Sequence, residues 1–78
     1  MTLNIISADK VLFSGKVRSV TLPGTMGLFT VLENHASLIS TLVPGKLEYT
    51  SDGHKQESME INGGIVDVDR NVVSVCLY

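Results

Sequence analysis

Apolar and polar residues alternate with a period of two along much of this chain. Val20 and Leu22 share one face, with Ser19 and Thr21 opposite. Leu47 and Tyr49 oppose Lys46, Glu48 and Thr50, and Val73, Val75 and Leu77 share a face in the last run. This period is that of a half-buried β-strand, whose side chains point to alternate faces. The remaining apolar runs begin at Leu3, Val11, Leu28, Leu38 and Ile65. All are too short for ordinary helices and end in turn residues, so they also read as strands. The run from His54 to Ile61 is more polar and fits a strand near a sheet edge.

Turn chemistry punctuates the pattern at Ala8-Asp9-Lys10, Pro23-Gly24, Pro44-Gly45, Asn62-Gly63-Gly64 and Asp69-Arg70-Asn71. Asp52-Gly53 gives the strongest hairpin signal, because a type I′ turn needs positive φ at both central residues. Ser14-Gly15 allows a bend or bulge within a strand. Asn34 to Thr41 could add one helical turn behind an Asn cap, although Ser and Thr weaken it. The pattern predicts about eight to ten short strands with a turn roughly every six to ten residues. That is the spacing of an all-β fold, an antiparallel β-sandwich or flattened barrel, in a single domain over residues 1–78.

The stretch Leu22 to Gly45 packs a tight loop, an apolar run, the polar corner Glu33-Asn34-His35 and a second apolar run between two Pro-Gly turns. A compact surface feature held by a rigid sheet is a common form of binding site.

Composition permits a core but narrows little else. The 78 residues are 44% hydrophobic and 18% charged, with a formal charge of −2, so no basic footprint for nucleic acid or anionic lipid is present. The single cysteine, Cys76, cannot form an internal disulfide, which points to a reducing compartment. It reads as a small buried or edge hydrophobe on a terminal strand. No apolar run approaches the ~18 residues needed to span a membrane, and the opening MTLNIISADK lacks the basic n-region of a signal peptide.

The candidate acids, bases and ligands are Asp9, Glu33, His35, Asp52, His54, Glu57, Glu60, Asp67 and Asp69. No two histidines stand at metal-ligand spacing on one element, and no CxxC occurs, so no metal site is expected. The glycines do not form GxxxxGK[ST], so no phosphate loop and no cofactor are expected. His54 reads as part of a solvated turn. His35 reads either as a corner residue that caps local backbone or as a contact residue at a protein interface. No nucleophile motif such as GxSxG accompanies it, so no catalytic residue is assigned.

Several segments, taken in order, resemble a known family. Ile6-Ser7-Ala8 is followed by Phe13-Ser14-Gly15, then by Leu22-Pro-Gly-x-x-Gly and the run Leu28 to Leu32. Asn34-His35-Ala36, Pro44-Gly45, Gly63-Gly64-Ile65-Val66-Asp67-Val68 and Asn71-Val72-Val73-Ser74-Val75 come after. Each piece is weak alone, but the ordered set is similar to the epsilon subunit of the F-type ATP synthase from about Leu3 onward.

The resemblance implies an N-terminal β-sandwich of two five-stranded sheets at the foot of the central stalk. It implies a rotor subunit that binds the gamma subunit and the membrane c-ring, couples proton translocation to ATP synthesis and holds no catalytic site. Its expected location is peripheral, in the F1 sector on the cytoplasmic face of the bacterial inner membrane. Carried over by position, Ser7, His35 and Ser40 match the gamma-facing side, and Met26, Gly27 and Leu28 match the loop that meets the c-ring. Thr30, Glu33 and Ser37 depart from the usual residues, and Leu28 falls where some relatives carry a carboxylate. Family members usually continue into a C-terminal helical hairpin that carries inhibition. This chain ends at Tyr78, so neither that inhibition nor nucleotide binding is expected of these residues.

Two other readings remain at this level. A generic sandwich module for carbohydrate or protein ligands would need an aromatic platform, whereas Phe13, Phe29, Tyr49 and Tyr78 are scattered along the chain. A small enzyme built on His35 would need a nucleophile and an orienting acid, and only Glu33 is near in sequence.

Overall fold

The alternating pattern closes into eight strands and no helix, described over residues 1–78 by a computed structural model. The strands are β1 (Thr2–Ser7), β2 (Lys10–Gly24), β3 (Gly27–Leu32), β4 (Leu38–Leu42), β5 (Gly45–Ser51), β6 (Gln56–Ile61), β7 (Gly64–Asp69) and β8 (Val72–Leu77). The segment after Asn34 forms no helical turn and leads directly into β4.

Strand β2 organises the architecture. The two apolar segments on either side of Ser14-Gly15 are one strand of 15 residues. Its first half, Lys10 to Lys16, pairs with β1, and its second half pairs with β3 on one side and β5 on the other. It therefore belongs to two layers, β2–β1–β8–β7–β4 and β3–β2–β5–β6, joined in one hydrogen-bonded path. Counted this way the layers hold five and four strands, and β2 supplies the continuity between them.

The bends that let one strand serve both layers are not at Gly15, which pairs regularly with Leu3. One register shift lies at Leu12, between the Ile5–Phe13 and Ile6–Val11 pairs, and another at Arg18, between the Val17–Ser51 and Ser19–Thr50 pairs. An unpaired extra residue bends a strand and increases its twist. All neighbouring strands run antiparallel except β1 and β8, which pair in parallel from Thr2–Val72 to Ser7–Leu77.

The inward positions of the alternation form a single core cluster of 15 buried residues drawn from every strand and Met1. Leu3, Ile5, Val66, Val73 and Val75 come from one layer and Val20, Leu22, Val31 and Leu47 from the other, with little or no exposure. Face-to-face burial of two sheets at a spacing of about 10 Å is the source of the fold's stability. Cys76 is neither buried nor on an edge strand: it is exposed on the outer face of β8, between β1 and β7.

Two turns have positive φ at both central residues, Ala8-Asp9 (47° and 67°) and Arg70-Asn71 (50° and 62°). These are the primed turns that suit strand twist, built here without glycine. Asp52-Gly53 is not of this kind. His54 carries the positive φ (66°), and His54 N–H donates to the Ser51 carbonyl at 2.9 Å. The loop is thus a three-residue hairpin, a turn closed by one left-handed residue. Strand β6 begins only at Gln56 and lies at the end of the strand order, as its polarity implies.

Candidate functional site

Strands β3 and β4 are the free edges of their layers on one side of the sandwich. β3 pairs only with β2, and β4 pairs along its whole length with β7, its other side meeting β2 only where Leu42 lies opposite Gly24. The two layers gape between these edges, leaving a groove of about 390 Å³. Met26, Gly27, Leu28 and Phe29 form one wall, and His35, Leu38, Ile39 and Ser40 the other.

The loop at the head of the groove is shaped by close approach. A Cβ on Gly24 would lie 2.8 Å from the Phe29 ring and 3.0 Å from the Gly27 carbonyl oxygen, so only glycine lets Phe29 pack beneath the turn. Thr25 then anchors the loop to β4. Its N–H donates to the Thr41 carbonyl at 3.2 Å, and the two hydroxyl oxygens lie 2.6 Å apart. Val43 N–H donates to the Pro23 carbonyl at 2.9 Å. With its neighbours fixed, Met26 projects into solvent at 99% exposure, and Leu28 follows at 73%. Neither folds back over the core.

The corner at the other end is fastened just as firmly. Asn34 has a left-handed backbone, with φ of 63°. Its N–H donates to Asn71 Oδ1 at 2.6 Å, and Asn71 Nδ2 donates to Asn34 Oδ1 at 3.0 Å. Ser37 Oγ donates to Asp69 Oδ1 at 2.8 Å, and Glu33 pairs with the Met1 ammonium group. His35 N–H closes the turn on the Leu32 carbonyl at 3.2 Å. The His35 ring is exposed, with Nδ1 2.7 Å from its neighbour's carbonyl, Ala36 O.

Five of the six residues expected at partner contacts, Met26, Gly27, Leu28, His35 and Ser40, thus line one groove. Ser7 does not. It ends β1, paired with Leu77 and Lys10, with β8 and β7 between it and β4.

The register exposes a second feature that the linear pattern conceals. Thr41, Ile65, Cys76, Ile6 and Val11 align across five strands on the outer face of their layer. Val11 is 61% and Ile65 45% exposed. The outer face of the other layer is polar, with Thr30, Thr21, Glu48 and Ser58 in one row and a 2.9 Å contact between the Thr21 and Thr30 hydroxyls. Only the strand register could reveal the apolar row, since its members are far apart in sequence. Ser7 directly follows Ile6 of that row.

No three acidic, histidine or cysteine side chains converge on a metal-sized point. His54 lies 2.7 Å from the Arg18 guanidinium through Nδ1, away from the groove. Asp67 and Asp69 border a shallow cleft with Arg70 and Ser74.

The family model for the ATP synthase delta/epsilon chain β-sandwich domain matches residues 1–77. The chain belongs to this family. Among its relatives are the ATP synthase epsilon chains of Leptospira borgpetersenii serovar Hardjo-bovis and of a Nitratiruptor species. The first is 39% identical over 96% of this chain and 58% of the relative. The second is 45% identical over 91% of this chain and 55% of the relative. This delta/epsilon-type sandwich therefore spans little more than half the length of those curated relatives. A chain from the Euglena gracilis mitochondrial ATP synthase, solved as an OSCP/F1/c-ring assembly, superposes with a TM-score of 0.90 at 27% identity. That match covers 96% of this chain and 48% of the other.

Proposed function

We propose that these 78 residues form the sandwich of a non-catalytic central-stalk subunit of the F-type ATP synthase. It binds gamma and the c-ring, turns with them, and couples proton translocation to ATP synthesis. The observation that carries this reading is the groove between the β3 and β4 edges, because residues matching both partner surfaces line it. Unpaired strand edges and exposed Met26 and Leu28 are features that a soluble chain covers with a partner. Family membership and the epsilon-chain names of its relatives support the same role. The subunit sits peripherally in the F1 sector, at the cytoplasmic face of the bacterial inner membrane.

Gamma meets His35 and Ser40, and the c-ring loops meet the Met26-Gly27-Leu28 tip. Ser7, beside the outer apolar row, marks a separate part of the gamma contact. Co-elution with purified gamma on size exclusion tests the role. The parent chain forms a stoichiometric complex, whereas Ser40→Arg places an unpaired charge in the groove and lowers the complexed fraction. Absence of any complex with the parent chain contradicts the proposal.

A further inference from the structure

The Arg70-Asn71 turn does not line the groove, yet it fixes the corner that does. The assignment of the Asn71 amide is forced: the backbone N–H of Asn34 can only donate, so the atom 2.6 Å from it is Oδ1. Nδ2 then donates to Asn34 Oδ1, and the Asn71 carbonyl accepts Thr2 N–H at 2.9 Å. Asn71 thus joins β1, the β7–β8 turn and the groove corner. With the Ser37–Asp69 bond it holds both flanks of His35-Ala36.

The imidazole follows from this placement. A carbonyl accepts but cannot donate, so the 2.7 Å contact to Ala36 O puts a proton on Nδ1. In the neutral ring Nε2 then carries the lone pair, and no protein group in the chain bonds to it.

We propose that Asn71 is a positioning residue for partner recognition: it locks the 33–37 corner so that His35 offers Nε2 as a hydrogen-bond acceptor at the groove. The group that meets it is an N–H or O–H donor on the partner surface. This rests on the reading that the groove meets gamma.

Two variants and two readouts test it. Asn71→Gly keeps the positive φ of the turn at no steric cost but removes both amide bonds. Asn71→Asp retains the acceptor for Asn34 N–H. Long-range ¹H–¹⁵N correlation spectra at mildly alkaline pH report the His35 tautomer, because the two ring nitrogens are distinct. The expected result is a predominantly Nδ1-protonated ring in the parent chain and in Asn71→Asp, and a shift toward Nε2 protonation in Asn71→Gly. Affinity for gamma falls about tenfold in Asn71→Gly, the scale of one lost hydrogen bond, and recovers in Asn71→Asp. An unchanged tautomer in Asn71→Gly, or an affinity equal to the parent's, overturns the proposal. If the parent does not bind gamma, the partner reading fails on its own. The tautomer shift then decides alone whether Asn71 positions His35.

Discussion

The rings of Phe13 and Tyr49 lie 4.4 Å apart at their centroids, inclined by 37°. Phe13 belongs to the half of β2 that pairs with β1, and Tyr49 to β5 in the other layer. The contact therefore closes the sandwich where β2 passes between layers. A tilted aromatic pair adds about 0.5–1.5 kcal/mol to the area it buries. Phe13→Ala loses that term and most of a partly buried ring, about 2–3 kcal/mol in all. In a domain of this size the midpoint of thermal unfolding falls by roughly 10 °C or more. Calorimetry showing a fall of a degree or two would place the layer closure elsewhere.

The same tyrosine sets an alkaline limit. Desolvation raises the Tyr49 pKa above its usual value, and the neighbouring Glu57 carboxylate adds to the rise, partly offset by Lys55. The folded chain thus holds the phenolic proton more tightly than the unfolded chain. Stability is full below the unfolded value of about 10 and declines as pH rises through the folded value. Urea midpoints measured from pH 8 to 11.5 fall at the top of this range, and Tyr49→Phe reduces the slope there. An identical slope in Tyr49→Phe assigns the effect to other groups.

Gly64 is fixed by a different constraint. A Cβ at this position would overlap the Cys76 carbonyl oxygen and sit 3.0 Å from Leu77 Cα, both backbone atoms of the adjoining β8. Neither can move without breaking the β7–β8 ladder. Gly64→Ala costs about 2–3 kcal/mol, as overpacking in a tight core does. Gly53, whose Cβ would meet nothing nearer than Ser51 Oγ at 4.0 Å, is the control. Gly53→Ala leaves the urea midpoint close to the parent's, and equal loss in both variants would contradict the assignment.

The layer core was readable because alternation, once paired with turns, names the buried positions. Val20, Leu22, Leu47, Tyr49, Val73 and Val75 all lie inward. Strand boundaries were less legible. Nothing local distinguishes the Ser14-Gly15 pair from a bulge, and only pairing with β1 shows that Leu12 is the extra residue. Asp52-Gly53 carried the composition of a primed turn, but His54 takes the left-handed backbone, while the true primed turns lack glycine. Five groove residues were named by resemblance, but their convergence required the gap between two edges. The Asn34–Asn71 bond and the Ile65–Cys76–Ile6–Val11 row join residues distant in sequence, and local pattern contains neither.

Met26 and Leu28 are exposed rather than tucked against the core, so their replacement spares stability. The double variant Met26→Ser with Leu28→Ser shifts the thermal midpoint by no more than a few degrees, because little apolar area leaves the interior. In membrane vesicles carrying the assembled enzyme, proton-driven ATP synthesis falls. Full retention of coupling by a complex containing the variant contradicts the proposed c-ring contact.

Hydrogen exchange with and without gamma tests most directly the claim that the opening between β3 and β4 is the docking surface. Outer-edge amides of these strands lack ladder partners and exchange through solvent in the free chain. Gamma should slow exchange over residues 35–40, on the β4 wall of the groove, and leave the β6 edge, 56–61, unchanged. Protection confined to β6, with the β3 and β4 edges exchanging as in the free chain, would contradict the account.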